Sequence, residues 1–133
     1  MLKQLTPTIW QANEVDARKL CESSEWKLLG IKGVICPAFN VRIQYHPELA
    51  ALVLPVWDES VVPDEWFDMA AGFHKRFSPT LVHCMGGINR SSTFALALMV
   101  KDGIPLEEGY KRVTAKPWGT PLLESVIRWS RNK

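Results

Sequence analysis

A chain of 133 residues with 47% apolar and 23% charged side chains has the size and composition of one globular domain, residues 1–133, able to bury about two-thirds of its unfolded surface. A net charge of +2 implies no general basic face, so nucleic acid and membrane surfaces are not expected partners. No apolar run approaches the ~20 residues of a membrane span, and the opening MLKQLTPTIW lacks a long apolar stretch ending in a small-residue cleavage site, so no secretory signal is expected.

Taken in chain order, TPTIW reads as a short strand. NEVDARKLCESS follows as a helix, with Asn13 as N-cap and Ala17, Leu20, Cys21 and Ser24 at helical spacing. GVICPAF is a buried strand stopped by Pro37, and VRIQY is either extended or loop. LAALVLPVW contains the next buried strand. In PDEWFDMAAGFHKRF, Pro63 suits the first helical position, Asp64 and Glu65 favour the positive end of the dipole, and Trp66, Met69, Ala70, Phe73 and Phe77 make an apolar stripe. TLVH is a further strand. RSSTFALALMVKDG is apolar nearly all round, as a central helix would be, and Gly103 stops it. PLEEGYKRV places Leu106, Tyr110 and Val113 on one face. TPLLESVIRWSRNK starts on a Thr120 cap followed by Pro121. Strands alternating with helices predict an α/β fold of three layers, with a central, mainly parallel sheet of four to five strands flanked by helices. Three cysteines cannot all pair within the chain and show no C-x-x-C spacing, which favours a reduced, cytoplasmic setting and gives no metal signal.

In such folds ligands bind where strand C-termini meet helix N-termini. HCMGGINRSS, from His83 to Ser92, lies at such a junction. A short loop there can turn successive N–H groups inward, and Gly86 and Gly87 permit the backbone angles and the close approach this needs. With the helix dipole behind it, the loop is an anion cradle. Arg90 offers a planar fork matching two phosphate oxygens. The same field stabilises a thiolate at Cys84. One loop would therefore hold a phosphate and present a nucleophile to its phosphorus.

The run His-Cys-x-x-Gly-x-x-Arg-Ser over residues 83–91 resembles the signature of the cysteine-based protein tyrosine phosphatase superfamily, in particular the small, atypical dual-specificity phosphatases. GVICPAF looks like that family's second buried strand, LVLPVWDES like the strand and loop carrying the general acid, and KPWGTPLLESVIRW like its closing segment and last helix. The resemblance implies a phosphatase fold with the phosphate-binding loop between a central strand and a helix. It implies Cys84 as nucleophile and Arg90, with the N–H groups of Met85, Gly86, Gly87, Ile88 and Asn89, as the phosphate site. It also implies Asp58 as general acid, Ser91 as a hydrogen-bond partner of the Cys84 sulfur and His83 as a residue orienting the loop. No metal or organic cofactor is called for. Some members protect an oxidised nucleophile with a second cysteine, and Cys36 ends a strand expected beside TLVH.

Plainer readings stand beside these. Cys84 alone would be a buried structural thiol, Arg90 a surface helix start, and Cys36 a small apolar filler. Asp58 alone would be an exposed loop acid, with Glu59, Asp64 and Asp68 near enough to compete. His46 and His74 read as surface residues, Lys116 and Arg112 as solvated charges, and Trp57 and Trp118 as residues that could line a cleft. The neutral loop argues against a polyphosphorylated lipid. The expected activity is hydrolysis of phosphotyrosine, with phosphoserine and phosphothreonine as further substrates, by a monomer acting on phosphorylated proteins. GINRS is also similar to the Gly-x-Asn-Arg-Thr form of RNA 5′-triphosphatases, the enzymatic alternative. A slow, phosphate-binding pseudo-enzyme is the non-enzymatic one.

Overall fold

TPTIW is not one strand. In the computed structural model, which describes residues 1–85, 89–113 and 120–132, Pro7 and Thr8 form the turn between β1 (Leu2–Thr6) and β2 (Ile9–Ala12). Proline presets the turn's φ, and Thr6 Oγ1 accepts the Thr8 N–H at 3.1 Å. Asn13 caps α1 (Glu14–Cys21) as expected, its side chain accepting the Asp16 N–H. Ser24 falls outside that helix and precedes the short α2 (Glu25–Leu28). β3 (Gly33–Cys36) is wholly buried and begins on Gly33, where a Cβ would stand 2.7 Å from that of Phe77. VRIQY is loop. β4 (Ala50–Val53) is the sheet's edge, so its side chains are only partly covered rather than buried.

The strands order as β1-β2-β5-β3-β4, with β5 (Thr80–His83) in the middle. Every pairing except β1 with β2 is parallel. Because successive strand residues face opposite sides, Ile35 and Val82 enter one core and Val34 and Leu81 another. The second core is covered by Ala17, Leu20 and Cys21 of α1 and Trp26 of α2. The first is covered by α3 (Asp64–Phe77), α4 (Asn89–Lys101), α5 (Leu106–Arg112) and α6 (Pro121–Ser130). The three expected layers are present.

The stripe of α3 is turned one residue from the expected one. Its buried positions are Phe67, Ala70, Ala71 and His74, whereas Met69 is exposed and Pro63 is the cap rather than the first helical residue. Trp66 and Phe73 pack at the margin of the core. His74 is therefore not a surface residue. Its ring nitrogens pair with Thr80 Oγ1 at 2.8 Å and Asp102 Oδ2 at 2.9 Å, which satisfies the polarity of a histidine on an inward face. Phe67 stacks on Phe94 of α4 (centroids 4.9 Å apart) and on Trp129 of α6 (5.5 Å). Each aromatic pair adds about 0.5–1.5 kcal/mol beyond the area it buries, so Phe67 ties α3 to both α4 and α6. Every residue of α4 from Arg90 to Met99 is buried. The last helix starts as expected, Thr120 Oγ1 accepting the Leu123 N–H with Pro121 next. Among the described residues no helix is long and apolar enough to cross a membrane.

Candidate functional site

Three parallel strands end together. Ala12 of β2 is level with His83 of β5, and Ile35 of β3 with Val82, so Cys36 closes β3 beside the end of β5. Cys84 is the next residue of the chain, 1% exposed, and packs with Cys36, Ala38 and Val41. The first N–H groups of a helix have no partner within it. One of those of α4, from Ser91, points to Cys84 Sγ at 3.4 Å, and Sγ itself faces the Met85 carbonyl at 3.4 Å. A thiolate at this place would meet a helix N-terminus, where the dipole favours negative charge. Gly86, Gly87 and Ile88 lie outside the described residues, as do Lys116 and Trp118. Met85 and Asn89 flank the loop half-buried.

Arg90 is not a surface helix start. It is 6% exposed, and Nη1 donates to the Val56 carbonyl at 2.9 Å and to Asn40 Oδ1 at 3.2 Å. Asn40 Nδ2 in turn reaches Met85 Sδ. Among the described residues, the other edge of the guanidinium, Nε with Nη2, has no acceptor. That edge is a planar pair of donors suited to two oxygens of one tetrahedral anion.

Asp58 lies two residues beyond Val56, exposed, in a turn that Glu59 completes with φ of 58° and Ser60 closes by donating to the Trp57 carbonyl at 2.7 Å. Trp57 is exposed and stacks on Phe39 at 3.8 Å between centroids. Phe39 precedes Asn40 and Trp57 follows Val56, so the loops after β3 and β4 are joined inside by Arg90 and outside by this ring pair. Of the competing acids, Asp64 is occupied by Arg128 at 2.9 Å, and Asp68 accepts from Trp129 Nε1 at 2.9 Å. Among the described residues no three His, Cys, Asp or Glu side chains gather as a metal site.

Beneath the loop, His83 is fully buried, and Nε2 pairs with Tyr45 Oη at 2.7 Å. Burial pushes the imidazole down to about 4, against an opposing pull from the Cys84 backbone. The same hydroxyl neighbours Cys36, whose thiol is pushed up to about 11, chiefly by burial, and so stays protonated at neutral pH. Tyr45 was legible only as one apolar position in VRIQY; a loop residue supporting a strand-end histidine leaves no periodic trace. Gln11 was also missed. It is fully buried and Nε2 donates to the hydroxyls of Ser91 at 3.0 Å and Ser92 at 2.8 Å. Its signal was a lone amide inside the apolar run TIWQA.

The histidine carries a prediction. An unfolded imidazole titrates near 6.5; the folded one resists protonation until about 4. Between these values the unfolded state binds the extra proton, so stability falls as pH drops from 6.5 toward 4, at up to about 1.4 kcal/mol per pH unit. Urea midpoints measured from pH 7 to 4.5 should decline, and His83→Gln should flatten the upper half of that decline. An equal decline in both proteins would assign it to other groups.

No family model matches the chain. Two curated proteins do. Dual specificity protein phosphatase 14 of Mus musculus is 31% identical over 104 residues, 71% of this chain and 52% of that one. Dual specificity protein phosphatase 16 of Homo sapiens is 34% identical over 89 residues, 61% of this chain and 12% of that one. The chain thus spans about half or less of the relatives it matches. Among solved structures, human DUSP28 superposes with a TM-score of 0.83 at 15% identity, covering 98% of this chain and 93% of that one. DUSP15 superposes with 0.71 at 19% identity, covering 98% and 93%. The superpositions establish a shared fold.

Proposed function

The chain belongs to the cysteine-based protein tyrosine phosphatase superfamily, and we propose that it is a protein phosphatase that cleaves phosphotyrosine, and phosphoserine or phosphothreonine, through a phosphocysteine at Cys84. What supports this reading above all is the pairing at the head of α4. The Cys84 sulfur lies against a helix-terminal N–H, and one residue earlier in that helix Arg90 is anchored by Nη1 with its Nε/Nη2 edge left for an anion.

The reaction proceeds in two displacements. The Cys84 thiolate attacks phosphorus, the bond to the substrate oxygen breaks, and Asp58 gives that oxygen its proton. The Asp58 carboxylate then takes a proton from water as the water oxygen attacks phosphorus, and the S–P bond breaks to return the thiolate. Arg90 and the N–H groups from Met85 to Arg90 hold the equatorial oxygens and their developing charge. Ser91 supports the sulfur as it leaves, and His83, neutral on Tyr45, keeps the loop's first residue in place. Asp58, exposed in its turn, reaches the leaving oxygen as its loop closes over substrate. Cys36, packed beside Cys84, is the candidate thiol to capture an oxidised nucleophile. The chemistry asks for no cofactor.

Release of phosphate from para-nitrophenyl phosphate and from phosphotyrosine peptides tests the reading. Phosphate release only from 5′-triphosphate RNA would replace it with the triphosphatase alternative, and binding without turnover would replace it with the silent module. The acid has its own test. Asp58→Ala should slow phosphotyrosine peptide hydrolysis by about 10²–10³-fold, the usual worth of a general acid. It should slow a very acidic aryl phosphate much less, because that leaving group needs no proton. Equal slowing of both, or of neither, would pass the role to Glu59 or Asp64.

A further inference from the structure

Gln11 takes no direct part in the two displacements, yet its position is specified more tightly than that of Asp58. It is fully buried on β2, level with Val82 of the central strand, and thus lies in the sheet one residue short of where the loop leaves it. A carboxamide nitrogen carries two N–H donors, while a hydroxyl has one proton to give and two acceptor positions. Gln11 Nε2 reaches both Ser91 Oγ (3.0 Å) and Ser92 Oγ (2.8 Å). Each hydroxyl oxygen therefore accepts from Gln11, and each hydroxyl proton is turned away from it. Ser91 is also the residue whose amide meets Cys84 Sγ.

We propose that Gln11 is a positioning residue for the nucleophile, fixing the direction of the Ser91 hydroxyl so that its proton faces the sulfur when the phosphocysteine breaks down. The inference rests on the phosphatase reading of Cys84. It differs from a purely structural pin between β2 and α4 in what it predicts. A pin would cost stability and leave the rate-limiting step alone. A director of the Ser91 proton would change the second displacement and leave substrate binding alone.

The test compares wild type with Gln11→Met, which keeps length and removes both donors, and with Gln11→Leu where the first variant does not fold. On an aryl phosphate, kcat should fall about 10-fold, the order expected for losing the direction of one charge-assisted hydrogen bond, with KM no higher. Rapid mixing should release a burst of about one phenolate per enzyme, because formation of the phosphocysteine outruns its hydrolysis. Ser91→Ala should reproduce the loss, and the double variant should be no slower than Ser91→Ala alone, since Gln11 acts through that hydroxyl. Alkylation of Cys84 by iodoacetamide at fixed mildly acidic pH should also slow several-fold, a reading that needs no turnover. Unchanged kcat without a burst, or losses that add in the double variant, would overturn the proposal. Should wild type release no phosphate, the phosphatase reading falls and alkylation alone decides: slowing upholds the coupling of Gln11 to the thiol, and an unchanged rate overturns it.

Discussion

Cys84→Ser should abolish turnover, by on the order of 10⁴-fold or more, while phosphate binding survives. The serine oxygen would occupy almost the same volume against Cys36, Ala38 and Val41, so little repacking is called for. What changes is the nucleophile. A hydroxyl stays protonated at neutral pH, and the histidine nearest to it in the chain is in no position to take its proton: His83 sits beneath the loop, buried, neutral and committed to Tyr45. On the proposed reading phosphate binding does not depend on the sulfur, because the helix N-terminus and the Arg90 edge remain. Calorimetry with a phosphotyrosine peptide should therefore give a dissociation constant within a few-fold of the wild-type KM, alongside no measurable phosphate release. Substantial hydrolysis by Cys84→Ser would exclude a phosphocysteine. Loss of binding together with turnover would mean that the sulfur holds the loop open rather than attacking from it.

The strand and helix that flank the loop are legible because their patterns are local. A cysteine, two glycines and an arginine within seven residues resemble a family signature only together with His83 and Ser91, and the apolar runs TLVH and TFALALMV place them between a buried strand and a buried helix. The parts that were misread depend on partners far along the chain. Met69 reads as inward because the stripe on α3 can be drawn through it or through Phe67 and His74. What decides is Thr80 and Asp102, which give His74 its two hydrogen bonds. β4 looked like an inner strand because LVLPV is apolar, and only the strand order makes it an edge. β1 hid because LKQL has too few apolar residues to announce a strand, and Leu2, Lys3 and Gln4 are indeed exposed. Arg90 shows the same division within a single residue. Its place in the motif predicts a guanidinium near the cradle, but its anchors, Asn40 and Val56, come from two other loops and carry no motif of their own.

Those anchors set the outcome for Arg90→Lys. On the proposed reading the guanidinium has two tasks in one plane: Nη1 ties down the loops after β3 and β4, and the Nε/Nη2 edge is left to take a phosphate. An ammonium keeps the charge and has three donors, yet they radiate from one nitrogen at the end of a flexible stem. It can stay with the Val56 carbonyl and Asn40, or reach the phosphate as a point charge, but it cannot do both with a two-oxygen fork. The expected loss is about 10²–10³-fold in kcat/KM on aryl phosphates, the scale of removing one preorganised donor to a developing oxyanion. Because the loop after β4 carries Asp58, losing the anchor should add slowing for substrates that need the acid. The phosphotyrosine peptide should therefore suffer more than the acidic aryl phosphate. Asn40→Ala separates the two jobs. It removes one anchor and leaves the fork intact, so it should cost under 10-fold, with the same bias toward substrates that need a proton. Near-normal turnover by Arg90→Lys would place the guanidinium away from the phosphate and reduce it to a loop fastener. Equal losses in Arg90→Lys and Asn40→Ala would say that the anchor, and not the fork, is what catalysis requires.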